Sequence, residues 1–152
     1  MEAATVHASA VLVGARAVLI RGPAGAGKSR LALALLQAAD TGLLRFARLI
    51  GDDRVHLEAR HGRLLVRPAA ALAGLIEIRG LGIRTLAHEP IAVVGLVVDL
   101  AAADAERLPS TAAIEVSGIL LPWLALAAGT DPLPSVIAAL PGTGGREIKP
   151  PS

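Results

Sequence analysis

The sequence predicts an α/β fold with more strand than helix. Three observations point there. Short apolar runs recur along the chain between breaks that carry glycine, proline or aspartate, the signature of short buried strands. One segment, Lys28–Ala39, is rich in Leu and Ala with no breaker and reads as a helix. Hydrophobic residues make up 53% and charged residues 18% of 152 residues, enough apolar side chain for the core of one domain and too much for a disordered chain.

In chain order, Val6–Val13 reads as a strand, Gly14-Ala15-Arg16 as a tight turn, and Ala17–Arg21 as a short buried strand. Gly22–Gly27 is too rich in glycine and proline for a helix interior and precedes the helix Lys28–Ala39, which Asp40-Thr41-Gly42 ends. Phe46–Ile50 is a further apolar run, stopped by Gly51-Asp52-Asp53. Val55–Ala59 and Arg63–Arg67 flank His61-Gly62 as a hairpin, and Ala69–Ala73 is a helical turn. Leu75–Arg79 and Ile83–Leu86 are short strands around Gly80-Leu81-Gly82. Ile91–Val98 is a strong buried-strand signal ending at Asp99, and Asp104–Leu108 a polar connector. Thr111–Val116 and Leu120–Leu126 read as strands, and Pro132–Leu140 as a final helix with proline near its start. Residues 1–140 form one domain, and 141–152, holding Pro, Gly and charge, read as a flexible tail. Because strands outnumber helices, a mixed sheet is expected rather than a regular alternating one.

Composition excludes several classes. With no cysteine there is no disulfide scaffold, thiol nucleophile or thiolate metal site. Phe46 and Trp123 are the only aromatic residues, too few for a base-stacking platform. Fifteen basic and thirteen acidic side chains give a net charge of +2, and along the chain no basic stripe of nucleic-acid type is visible, so nucleic acid is not an expected partner. Mean hydropathy is +0.60. The longest apolar stretches, Ile91–Val98 and Gly118–Gly129, nevertheless fall short of the ~20 residues of a spanning helix. The first residues lack a basic start and an apolar signal core. A cytoplasmic protein without membrane association is expected.

Gly22–Ser29 reads GPAGAGKS and matches the phosphate-loop pattern G-x-x-x-x-G-K-[ST] in full, between an apolar strand and a helix. The glycines (Gly22, Gly25, Gly27), with Pro23, Ala24 and Ala26, let successive N–H groups face phosphates, and the helix start adds the positive end of its dipole. Lys28 would reach the β- and γ-phosphates, and the Ser29 hydroxyl would coordinate Mg²⁺. Apart from Lys149 in the tail, Lys28 is the chain's only lysine, which tells against an incidental one. ATP and Mg²⁺ are the expected cofactors. Two acidic sites compete for the metal: the Asp52-Asp53 pair, and Asp99 at the end of an apolar strand. Adjacent carboxylates in a partly dry site raise one another's pKa unless cations lie nearby.

The pattern His7, GPAGAGKS, Gly51-Asp52-Asp53-Arg54-Val55 and Leu75-Ile76-Glu77-Ile78-Arg79-Gly80-Leu81-Gly82-Ile83 resembles the bifunctional HPr kinase/phosphorylase family, which acts on a serine of the phosphocarrier HPr. The resemblance covers about Val6 to Leu108, and E-I-R-G-L-G-I is its most diagnostic piece. It implies a P-loop-containing α/β mixed sheet like the family's catalytic domain and the nucleotide domain of phosphoenolpyruvate carboxykinase. The chain begins where the kinase domain of longer members begins, so the short, catalytic-domain-only form is expected. By this resemblance Lys28 and Ser29 match the ATP-phosphate and Mg²⁺ residues, and Asp53 the acid/base that takes the proton of the acceptor serine. Glu77 matches a metal-binding glutamate, His7 an active-site histidine, and Arg107, across a gap, an active-site arginine. Arg79 or Arg107 could stabilise the transferring group's oxygens. His56, His61 and His88 show no ligand spacing.

The sequence also departs from the family. Leu86–Ile91 reads LAHEPI where a glycine-rich stretch is usual. Leu120–Leu126 replaces a basic loop tied to phosphorolysis, and no positive charge lies between Arg107 and Arg146. A reaction that gathers phosphate and phosphoserine should suffer most from that loss. The kinase direction is therefore expected to persist with phosphorolysis weak or absent. An HPr-type phosphocarrier is the expected partner. The family's hexamer is not assumed, and a homo-oligomer stays open. Two other functions also stay open: a small-molecule P-loop kinase using Asp99 for the metal, and an ATP-binding sensor without transfer chemistry.

Overall fold

The structure, a computed structural model, describes residues 4–102 and 112–140. The expected tail from Pro141 onward, the connector Asp104–Leu108 and Arg107 lie outside the described residues.

Eleven strands form in chain order: β1 (Val6–His7), β2 (Ser9–Val13), β3 (Arg16–Arg21), β4 (Ala47–Gly51), β5 (Arg54–Arg60), β6 (Arg63–Pro68), β7 (Leu75–Ile78), β8 (Gly82–Thr85), β9 (Ala92–Leu100), β10 (Ala113–Val116) and β11 (Ile119–Leu126). Helix α1 spans Lys28–Asp40 and α2 Pro132–Ala139, with a short 3₁₀ turn at Ala70–Leu72. None of these helices is long and apolar enough to cross a membrane, among the described residues.

Nine strands share one sheet: seven in the order β1-β5-β6-β9-β3-β2-β4, with β11 and β10 branching from β9, and β7 and β8 pair as a separate hairpin. Pairing is mostly antiparallel; β9 runs parallel to β3 on one side and, through its second half, parallel to β11 on the other. β10 closes onto β11 as a hairpin. β3 and β9 read as near-continuous apolar runs because both their faces are covered. Val11, Val18, Ile20, Leu96 and Val98 face α1, whose Leu31, Ala32, Leu35 and Ala38 recur at helical spacing and are buried. Ala10, Ala17, Leu19, Val94 and Val97 face the other way, into a second core that β5 and β6 cover with Val55, Leu64 and Val66. Asp131 caps α2 by accepting a hydrogen bond from Leu133 N, with Pro132 at the first helical position.

Two sequence expectations are corrected. The single strand Val6–Val13 divides at Ala8: Val6 and His7 pair with Val55 and Arg54 of β5, whereas Ser9 onward pairs with β3 and β4. Each end strand is therefore the chain neighbour of a strand at the opposite end, β1 of β2 and β4 of β5, and the sheet curls around the second core. Asp99 does not terminate its strand: it is paired with Arg21 on one side and Ala125 on the other, and β9 continues to Leu100. Strand alternation also gathers charge that the linear reading does not show. Arg54, Arg60, Arg63 and Arg67 are exposed on the outer face of the β5–β6 hairpin, with Glu58 between Arg60 and Arg67 at 3.3 and 4.0 Å.

Candidate functional site

The seam of the curled sheet is where the chemistry-bearing residues meet. β3 leads into the loop Gly22–Gly27, and α1 leads out of it. Gly22, Gly25 and Gly27 all take positive φ, which turns the loop back on itself at no steric cost. Gly27 caps α1 without a side-chain hydrogen bond, and the helix's first turn holds no acidic residue. That turn instead carries Lys28 and Arg30, cations beside the positive end of the helix dipole. In isolation this costs stability; opposite a multiply charged anion it becomes favourable. Lys28 arches over the loop and donates from Nζ to Gly22 O at 2.9 Å and Pro23 O at 3.3 Å.

Beneath the loop lies Asp52, 5% exposed. Its Oδ1 accepts from Ser9 Oγ at 2.6 Å, and Ser29 Oγ lies 2.7 and 2.8 Å from its two oxygens. Glu77 N donates to Oδ2 at 3.3 Å. Ser9, fully buried, also accepts from Asp53 N at 3.1 Å, so one hydroxyl ties both aspartates together. Asp53 has φ 72 and is exposed. The left-handed turn sends the second carboxylate away from the first, into a pocket of about 780 Å³. The phosphate loop from Ala24, the first turns of α1 including Arg30 and Leu33, and the β7–β8 hairpin with Glu77, Arg79 and Gly80 line the rest of it. Arg30 and Arg79 make no ion pair or hydrogen bond among the described residues.

The structure thus brings together Lys28, Ser29, Asp52, Asp53, Glu77 and Arg79. His7 is held by register opposite Arg54, and the following Ala8 N–H donates to Asp53 O at 3.1 Å, but the His7 ring does not line the pocket. Arg107 lies outside the described residues. Asp99, the other metal candidate, is engaged elsewhere. Arg21 Nε and Nη2 donate to its two oxygens at 2.7 and 2.8 Å, and Trp123 Nε1 donates to Oδ2 at 2.8 Å. The hydrogen bond to Asp99 raises the Arg21 pKa further above its ordinary value, against desolvation and with help from the carboxylate's charge. Two residues escaped the sequence reading, one beneath the pocket and one lining it. Ser9 is a lone strand serine with no spacing signal, and Arg30 follows the phosphate-loop motif without belonging to it.

No cluster of three or more His, Cys, Asp or Glu converges as a metal cage among the described residues. Ser29 and Asp52 nevertheless present adjoining hard oxygens and Glu77 lines the same pocket, and Mg²⁺ commonly takes one or two carboxylates, completing its shell with water and substrate phosphates. The residues present fit that ion.

A model of the HPr Serine kinase C-terminal domain matches residues 1–89, more than half of the chain. The HPr kinase/phosphorylase of Streptococcus thermophilus is 42% identical over 83 residues, covering 54% of this chain and 25% of the relative. That of Mycoplasma mycoides is 38% identical over 77 residues, covering 51% and 22%. The chain thus spans about a quarter of the length of the curated relatives it matches. The solved HPr(Ser) kinase/phosphatase of Coxiella burnetii superposes with a TM-score of 0.72 at 25% identity, covering 90% of this chain and 93% of that one. The mixed sheet expected from the sequence is the one this relative shares. Motif, fold and match agree, and the chain belongs to the HPr serine kinase C-terminal domain family.

Proposed function

We propose that this chain is an ATP-dependent protein serine kinase that phosphorylates a seryl residue of an HPr-type phosphocarrier protein. The observation that carries the reading is the pair of adjacent carboxylates in two environments at one phosphate loop. Asp52 is buried against Ser29, and Asp53 opens into the pocket between the loop and the β7–β8 hairpin. Ser29, Asp52 and Glu77 would hold Mg²⁺, which when bound neutralises phosphate charge. Gly22–Gly27 and Lys28 would hold the phosphate chain of ATP. Lys28 exchanges its carbonyl partners for phosphate oxygens as it does so. Asp53 accepts the proton of the acceptor serine as its oxygen bonds to the γ-phosphorus and the bond to the β–γ bridging oxygen breaks, releasing ADP. Arg79 and Arg107 stabilise the equatorial oxygens of the group in flight. His7, which register holds opposite Arg54, stands beside the Asp53 turn without lining the pocket. Phosphorolysis is weak in this reading, since Leu120–Leu126 carries no cation to gather a second anion. The setting is cytoplasmic, where ATP is held.

The test uses γ-labelled ATP, Mg²⁺, the chain and HPr-type proteins of its host. Acid-stable label on a carrier serine, lost with Asp53→Asn, is the expected result. ATP binding without transfer to any carrier would refute the kinase reading in favour of a sensor. Rapid pyrophosphate release from phosphoserine-HPr and inorganic phosphate would refute weak phosphorolysis.

A further inference from the structure

Arg21 is the last residue of β3 and is bonded directly to Gly22, the first residue of the phosphate loop. Its guanidinium meets Asp99 as a two-point fork, Nε to Oδ1 at 2.7 Å and Nη2 to Oδ2 at 2.8 Å. Trp123 of β11 completes the carboxylate from the other side at 2.8 Å. The side chains are 30% and 19% exposed, so the pair is largely withdrawn from water. The next residue on β9 grips the next residue of the loop: a Cβ on Gly22 would lie 3.1 Å from Leu100 O and 3.2 Å from Leu100 Cβ. The last residue of β3 and the first of the loop are thus each held by the end of β9. Gly22 O is also the carbonyl that receives Lys28 Nζ.

A bidentate guanidinium–carboxylate pair is planar and directional, which makes it better at setting orientation than at adding stability. We propose that Arg21, Asp99 and Trp123 are positioning residues that orient the phosphate loop for its nucleotide, with Trp123 linking the loop to the β10–β11 hairpin. The proposal rests on the reading of that loop as a nucleotide site. Asp99 thereby has a role that needs no metal. Because the fork adjoins the carbonyl that Lys28 must leave, loading the loop changes the field at Asp99 and hence at the indole. Trp123 is the chain's one tryptophan, so its emission reports the loop without labelling.

The experiment titrates the native chain, Asp99→Asn, Arg21→Lys and Trp123→Phe with ATP and Mg²⁺ by calorimetry, and follows Trp123 emission where it is present. The native chain is expected to show a saturable emission change with the calorimetric affinity. Asp99→Asn is expected to bind about tenfold more weakly with the emission response reduced. Arg21→Lys, which keeps the charge but loses the fork, should not restore native affinity. Trp123→Phe, which keeps an aromatic ring but loses the N–H and the second ring of the indole, should bind about two- to threefold more weakly, and it carries the test if Asp99→Asn does not fold. Native affinity in Trp123→Phe together with native affinity in either fork variant would overturn the clasp. An unchanged native emission at saturation would do the same. No ATP heat with the native chain would overturn the nucleotide reading and the clasp with it, an outcome distinct from both.

Discussion

Replacing Asp52 by asparagine separates the site's structural role from its metal role. The asparagine Oδ1 can still accept from Ser9 Oγ, and its amide can donate to Ser29 Oγ, which reverses one hydrogen bond without deleting it. Only the Glu77 amide, now facing another donor at 3.3 Å, loses its acceptor. That costs about 1 kcal/mol, or ~2–4 °C of thermal midpoint for a domain of this size. Asp52→Ala would cost more, since it leaves the Ser9 hydroxyl buried without its acceptor. Nucleotide binding is the contrast. A ligand at a hundred times its Kd stabilises by about 2.7 kcal/mol, which raises the midpoint by ~5–11 °C. If Ser29, Asp52 and Glu77 hold the metal, Asp52→Asn should lose the increment that Mg²⁺ adds to the ATP-induced shift while its own midpoint barely moves. The assay is thermal unfolding of both chains with ATP, with and without Mg²⁺, and with EDTA. A full Mg²⁺-dependent shift in Asp52→Asn would refute the assignment. A collapse of its ligand-free midpoint would refute the hydrogen-bond reasoning.

Further outcomes follow from single contacts. Lys28→Met removes only two bonds to loop carbonyls, one half-buried and one exposed, so stability should fall little while ATP affinity falls about 10- to 150-fold, the value of a charged hydrogen bond, as calorimetry would show. Ser9→Ala loses both the bond to Asp52 and the acceptor of Asp53 N, costing about 2–3 kcal/mol in a urea titration; a cost near zero would mean that the two aspartates are held without it. The Arg21 pKa is raised, so its contribution to stability is complete below the unfolded value and is lost only as pH rises through the still higher folded one. Between about pH 7 and pH 11 this group adds no slope to stability, and a slope in that window that Arg21→Gln abolishes would contradict the assignment.

What the sequence disclosed depended on the range of the signal. The glycine-rich turn from β3 into α1 was legible because its logic is local: glycines, a lysine and a helix start within eight residues. The β5–β6 hairpin was legible from His61-Gly62 between two alternating runs. Asp52 and Asp53 were visible as a pair, but their division of labour was not, since it depends on Ser9, forty-three residues from Asp52 and brought there by the curl of the sheet. Asp99 read as a metal aspartate because an apolar strand ending in Asp looks like one. Its partner Arg21 is seventy-eight residues away, and only the parallel pairing of β3 and β9 reveals that the carboxylate is engaged. The break at Ala8 left no trace because both halves of the segment are strand, differing only in which neighbour they pair with. The four arginines of the β5–β6 face were missed because they lie at alternate positions of two strands, where a linear count dilutes them.

In the proposed reading two neighbouring carboxylates serve one reaction from different environments, because the chain turns between them. β4 ends in the core, Asp52 follows it inward, and Asp53 takes a left-handed conformation that points it outward. The buried member accepts from two hydroxyls and one amide. The exposed member keeps solvent on one side and shares its pocket with Arg30 and Arg79, whose side chains make no ion pair among the described residues. Strain at Asp53 is the cost of this arrangement, and it is met by strand pairing on both sides, with Ala8 N donating to Asp53 O and Arg54 already in β5. The curl that closes the second core is thus the same feature that sets the two carboxylates apart, and if the proposed kinase reading holds, a change that loosened the seam would lower transfer activity before it unfolded the sheet.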